Sequence, residues 1–130
     1  MTVGASLVSH VCRLLIADDR ARTRRALRAV LATQTGIELI GEAVDGEEAI
    51  AEVERLRPDI VILDIRMPRL DGIAVTRQIK TRWPATRVIA HSLADELSEN
   101  ALAAGADAFV PKGAPPGELL RALRSCDTTR

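Results

Sequence analysis

The sequence predicts an α/β domain built on a doubly wound, five-stranded parallel sheet with five helices. Three observations lead there. Strand-length apolar runs alternate five times with segments whose apolar residues recur at helical spacing, which is the pattern of βαβ units. The run VILDIRMP (61–68) begins as a continuous apolar stretch, as a strand covered on both faces requires. The strand part of that run ends in Asp64 and RLLIADD (13–19) ends in Asp18-Asp19, and open sheets of this class place their chemistry at the carboxyl edge.

Each element has a local reason. After a strand over 12–17, residues 20–34 read as a helix with Leu27, Val30 and Leu31 on one face and arginines on the other, stopped by Gly36. A second strand over 37–43 leads into a helix near 46–56 with Ala49, Ile50, Val53 and Leu56 at helical spacing, and Pro58 closes that connection. The third strand, 59–63, precedes the loop RMPRLDG. A helix over about 72–82 follows, burying Ile73, Val75 and Ile79 and ending at Trp83-Pro84. RVIAHS, 87–92, is the fourth strand, followed by a helix near 95–104 that ends at Gly105. A short strand over 107–111 ends beside Lys112, and Pro115-Pro116 open a last helix carrying Leu119, Leu120 and Leu123.

Composition bounds the function. A chain of 130 residues with 47% hydrophobic and 28% charged residues suits one domain with a sizeable core, expected over 12–124, with an N-terminal extension over 1–11 and a C-terminal tail over 125–130. The 18 basic and 18 acidic residues cancel, so no bulk field favours nucleic acid or an anionic membrane, and direct nucleic-acid binding is not expected. The longest apolar runs are too short to span a bilayer, and MTVGASLVSHV lacks the basic start and long apolar core of a signal peptide; a cytoplasmic protein is expected. Cys12 and Cys126 have no metal-ligand spacing and read as two free thiols.

The polar residues at strand ends carry the functional signal. If the first and third strands are parallel neighbours, Asp18, Asp19 and Asp64 converge on one crevice, and their repulsion costs free energy unless a cation sits among them. Mg²⁺, a hard ion that prefers oxygen, is the expected occupant. Ser92 closes the fourth strand and Lys112 the fifth, so three acids, a hydroxyl, an ammonium and a divalent cation share one edge. That set suits phosphoryl transfer onto a carboxylate. Taken singly, Asp18 or Asp19 could be a helix N-cap, Asp64 a turn acid, Ser92 a turn residue, Lys112 a solvated charge and Phe109 a core filler.

In order and spacing, Asp18-Asp19, Asp64 in VILDIRMPRLDG, Ser92, and Phe109 and Lys112 in AGADAFVPK resemble the receiver domain of bacterial two-component response regulators, over residues 12 to about 124. The segments DGEEAI, RMPRLDGI and LRPDIVILDIRMP look most like receivers that precede a helix-turn-helix output domain. The resemblance implies a flavodoxin-like (β/α)5 fold and a signalling switch in which Asp64 accepts a phosphoryl group from a histidine kinase or phosphotransfer protein. It further implies that Asp19 and Asp64 ligate Mg²⁺ directly, Asp18 acts mostly through water, and the Arg66 backbone carbonyl completes the ligands. Ser92 and Lys112 would grip the phosphoryl oxygens, and Phe109 would rotate inward as a switch coupled to the surface of the fourth helix, fifth strand and fifth helix. Partners expected from it are the phosphodonor, a downstream protein and a phosphorylation-linked second copy of the chain.

The chain stops soon after its fifth helix, which fits either a natural single-domain regulator or a separated receiver, the length of 130 residues favouring the former. Such a protein catalyses its own phosphoryl transfer and slow hydrolysis but serves as a switch rather than as an enzyme. Departures from the family pattern fall at Leu93, where a small residue is usual and a branched side chain would overhang the pocket, at His91, where an apolar residue is usual, and at Gly113, where proline often follows the lysine. His91 reads as a packed or edge residue rather than a phosphorelay histidine. Arg66, two residues past the acceptor, is placed to act on the lifetime of the aspartyl phosphate, and its presence there excludes a haloacid-dehalogenase-like phosphatase, which needs an acid at that position. The alternative function is a phosphorylation-independent interaction module on the same scaffold.

Overall fold

Strand β1 (Cys12–Ala17) is an interior strand of the sheet in the computed structural model, which describes residues 11–67 and 69–124. Most of the expected N-terminal extension, the C-terminal tail with Cys126, and Pro68 lie outside the described residues. From β1 the chain runs through α1 (Ala21–Leu31), β2 (Ile37–Ala43), α2 (Gly46–Leu56), β3 (Ile60–Leu63), α3 (Gly72–Arg82) and β4 (Arg87–Ser92). A single 3-10 turn, Asp95–Leu97, then leads into α4 (Ser98–Ala103), β5 (Ala108–Pro111) and α5 (Pro116–Arg124). The five strands are parallel in the order β2-β1-β3-β4-β5. Strand order reverses between β1 and β3: the chain leaves β1 towards one edge and β3 towards the other, opening a crevice at their carboxyl ends.

Alternation along the strands sorts the core into two layers. Leu15, Ala17, Val61, Leu63, Val88 and Ala90 face Ala49 and Val53 of α2, Val75 and Ile79 of α3 and Ala101 of α4. Leu14, Ile16, Ile60, Ile62, Ile89 and Val110 face Leu27 and Leu31 of α1 and Leu119 and Leu123 of α5. All four residues of β3 are buried, which is why its sequence shows no polar alternation. Full burial of each such side chain contributes about 1.5–3 kcal/mol, so these layers fix where the strand ends fall.

The helix starts are locally specified. Asp45 caps α2 by accepting from the Glu48 N–H at 2.8 Å, and Glu48 Oε1 reciprocates by accepting from the Val44 N–H at 2.7 Å. Asp71 caps α3 by accepting from the Ala74 N–H at 3.0 Å. A Cβ on the next residue, Gly72, would strike the Ile65 Cα and the Asp64 carbonyl oxygen, so only glycine lets α3 start this close beneath the end of β3.

Several boundaries differ from expectation. Helix α1 ends at Leu31 rather than 34: Thr33 turns its hydroxyl back onto the Val30 carbonyl at 2.7 Å, and the Thr33 and Gln34 N–H groups donate three residues back, to the Val30 and Leu31 carbonyls, before Gly36 at φ 82°. The expected helix over 95–104 divides, its first turn being 3-10. The third and fifth strands each start one residue late, because Asp59 and Asp107 use their carboxylates to accept from the Arg13 and Val88 N–H groups, each at 2.8 Å. Ile73 is half-buried, packed against the edge of the core and lining a groove. Cys12, 1% exposed, is disulfide-bonded, which corrects the reading of two free thiols. No helix among the described residues is long and apolar enough to cross a membrane.

Candidate functional site

Parallel pairing of Ala17 with Leu63 carries Asp18 and Asp64 to the same level, and the Asp64 N–H donates to the Ala17 carbonyl at 2.9 Å. The crevice therefore receives the acids from two adjacent strand ends. Asp18, Asp19 and Asp64 each offer a carboxylate oxygen, and these oxygens lie within 4.8 Å of one another. Asp18 and Asp64 are 2% and 4% exposed, whereas Asp19 faces solvent. Two buried carboxylates side by side need cationic compensation.

Lys112 supplies part of it. Its N–H pairs with the Ser92 carbonyl at 3.0 Å, extending the β4–β5 ladder past the strands, and its ammonium Nζ lies 2.8 Å from Asp18 Oδ2 and 3.1 Å from Asp64 Oδ2. The Asp18 contact is an ion pair without hydrogen-bond alignment, so Oδ2 accepts no hydrogen bond among the described residues. A buried carboxylate oxygen left in that state, beside two further carboxylates, fits a hard divalent cation such as Mg²⁺. Burial pushes the Asp64 carboxyl above its ordinary value, with Asp18 adding to the rise, while the Arg66 N–H at 3.0 Å from Oδ1 and the Lys112 ammonium hold it down.

Above the acids lies a cleft of ≈ 160 Å³ whose lining includes Asp64, Arg66, Ser92, Leu93, Glu96 and Lys112. Ser92 is 1% exposed, and its Oγ accepts from the Ala94 N–H at 3.1 Å, which orients the hydroxyl at the start of the loop. Leu93 is 65% exposed at the cleft wall. That exposure excludes a core role for it and leaves it at the cleft rim. A wider groove of ≈ 770 Å³ shares Arg66 with this cleft and takes in Asp19, but is otherwise floored by residues such as Ile65, Met67 and Leu97. The chemistry belongs to the smaller cleft, which holds the acceptor, the hydroxyl and the ammonium together.

The sequence-derived residues are thus brought together, with one apart. Phe109 on β5 is half-buried against the core layer facing α4 and lines a groove with Asp95, Ser98 and Leu102, so it does not border the acid cleft. His91 is 8% exposed, and alternation puts it on the opposite sheet face, with Ile89. Burial and then the Lys112 charge lower its pKa to about 4 against a smaller upward pull from Asp18, and its Nδ1 has no partner among the described residues. Sequence reading missed Glu96 and Arg20, which also line the cleft; neither lies at a strand end, and only the path of two loops brings them there.

The family model described as the response regulator receiver domain matches residues 14–124. A protein-glutamate methylesterase/protein-glutamine glutaminase of Alkalilimnicola ehrlichii is 41% identical over 103 residues, covering 77% of this chain and 26% of that protein. The response regulator GacA of Pseudomonas viridiflava is 32% identical over 114 residues, covering 86% of this chain and 53% of that protein. The chain therefore spans about a quarter to a half of the length of these curated relatives. Among solved structures, the response regulator domain of Thermotoga maritima CheB is similar at a TM-score of 0.84 and 32% identity, covering 93% of this chain and 100% of that one.

Proposed function

The chain belongs to the response regulator receiver domain family of two-component systems, and from that premise we propose that it is a phosphorylation-dependent switch whose acceptor is Asp64. An Asp64 carboxylate oxygen attacks the phosphorus of the donor, the bond from phosphorus to the leaving group breaks, and an aspartyl phosphate remains. Lys112, already bridging Asp18 and Asp64, neutralises charge on the transferred group, and the Ser92 hydroxyl turns from the Ala94 N–H to a phosphoryl oxygen. Asp18, Asp19, Asp64 and the Arg66 backbone carbonyl would hold Mg²⁺, which supplies further neutralisation of the phosphoryl oxygens when bound. Phe109, beside the α4 surface, is the proposed reporter that passes the state of the site to the α4–β5–α5 face, as a shift between two packings.

The observation that carries this reading is the Lys112 ammonium held between two buried carboxylates at the floor of a cleft closed by Ser92. A histidine kinase or phosphotransfer protein is the proposed donor, a downstream protein the proposed recipient, a phosphorylation-linked homodimer a further assembly, and the cytoplasm the proposed compartment. The methylesterase activity in one relative's name is said of that longer protein; for this chain the proposed role is that of a switch. Incubation with Mg²⁺ and acetyl phosphate followed by intact mass spectrometry tests it. One added phosphoryl group, absent when the metal is chelated, is the expected result. An unchanged mass under every condition would favour an interaction module that works without phosphorylation.

A further inference from the structure

Two loops flank the cleft, one after β3 and one after β4, and an ion pair ties them. Arg66 Nη2 lies 2.6 Å from Glu96 Oε2, and both side chains line the cleft. Arg66 is anchored near the acceptor at its other end, where its N–H donates to Asp64 Oδ1 at 3.0 Å. Its guanidinium therefore belongs to the acceptor's cleft yet is already engaged. The two side chains are 65% and 66% exposed, so the pair is weak and opens readily. Lys112 is occupied by Asp18 and Asp64, and Arg20 is a further cation in the cleft lining.

An incoming phosphodonor is an anion. At the cleft it meets an arginine whose charge is cancelled by Glu96, and it gains little from that arginine until the pair opens. A phosphoryl group on Asp64 would then compete with the single carboxylate of Glu96 for the same guanidinium, offering more charge and more acceptor oxygens.

Resting on the phosphoacceptor reading, we propose that Glu96 is a positioning residue that holds Arg66 across the cleft mouth, withholds its charge from anionic donors, and yields it to the phosphoryl group once formed. Glu96 acts through Arg66 and touches no reacting atom.

The test compares the wild-type chain, Glu96→Gln, Arg66→Ala and the double variant, each with Mg²⁺ and acetyl phosphate, by the slope of phosphorylation rate against donor concentration at low and high salt. Glu96→Gln is expected to raise the slope about two- to fivefold at low salt, the size an exposed pair supplies, and less at high salt. In the Arg66→Ala background the same change should have no effect, because there is no guanidinium left to release. An equal gain with and without Arg66, a gain indifferent to salt, or no gain would overturn the proposal. A wild-type chain that gains no phosphoryl group at any donor concentration would instead remove the phosphoacceptor reading, and the role of Glu96 with it.

Discussion

Replacing His91 with leucine should remove a large part of the acid sensitivity of this fold. His91 sits on β4 behind the site, 8% exposed, with an unpartnered Nδ1 and a pKa lowered from 6.5 to about 4, first by burial and then by Lys112. Because the folded pKa lies below the unfolded one, the folded state binds fewer protons. The stability at stake is fully present above pH 6.5 and is lost as pH falls towards 4. The full drop is worth about 3 kcal/mol, of which about 2 kcal/mol is lost at pH 5, where an unfolded histidine is mostly charged and the buried one mostly neutral. Asp64 works in the opposite direction: its raised pKa makes the fold gain stability as the carboxyl protonates. That contribution is common to both proteins and cancels in their difference. Urea unfolding of wild type and His91→Leu at pH 8 and pH 5, with metal chelated, measures the difference. Wild type should lose about 2 kcal/mol more than the variant between the two pH values. Parallel losses in the two proteins would refute the reasoning.

Other perturbations have equally definite signs. Asp64→Asn should raise the unfolding midpoint of the metal-free protein, since burial disfavours the charged carboxylate, and Mg²⁺ should narrow the gap; an unchanged or lowered midpoint counts against this. Lys112→Met leaves Asp18 and Asp64 buried without their cation and should cost roughly 3–5 kcal/mol in chelator, with part of the loss restored by Mg²⁺. Denaturation with and without the metal reads both numbers. Leu93→Ala should speed phosphorylation by acetyl phosphate while changing stability by no more than about 0.5 kcal/mol, because the side chain is 65% exposed; a slower or equal rate would remove Leu93 as a gate.

The sheet and the acids were legible because strand burial and strand-end chemistry both write themselves into local sequence. VILD names a buried strand and its terminal carboxylate at once, and the topology then dictates that Asp18 and Asp64 meet. Helix ends were read less well: α1 overshot because the hydroxyl of Thr33 competes for a backbone carbonyl, an effect with no apolar period. Asp59 and Asp107 looked like strand residues but serve as caps for neighbouring strands, a pairing set by register rather than by their own segments. Glu96 escaped altogether, since its partner Arg66 is 30 positions away and only the two loops bring them together. His91 read from sequence as a packed or edge residue that alters packing under the fourth helix; alternation with Ile89 puts it instead on the face covered by α1 and α5, and the depth of its burial depends on how that layer closes over β4.

The central claim is that Asp64 alone among the clustered acids is the nucleophile. Borohydride reduction of the protein after treatment with acetyl phosphate and Mg²⁺ converts an aspartyl phosphate to homoserine, and peptide mass spectrometry then locates it. Homoserine is expected at position 64 in the wild-type chain and at no position in Asp64→Asn. Homoserine at position 18 or 19, or an Asp64→Asn protein that still traps a reduced residue, would contradict the claim.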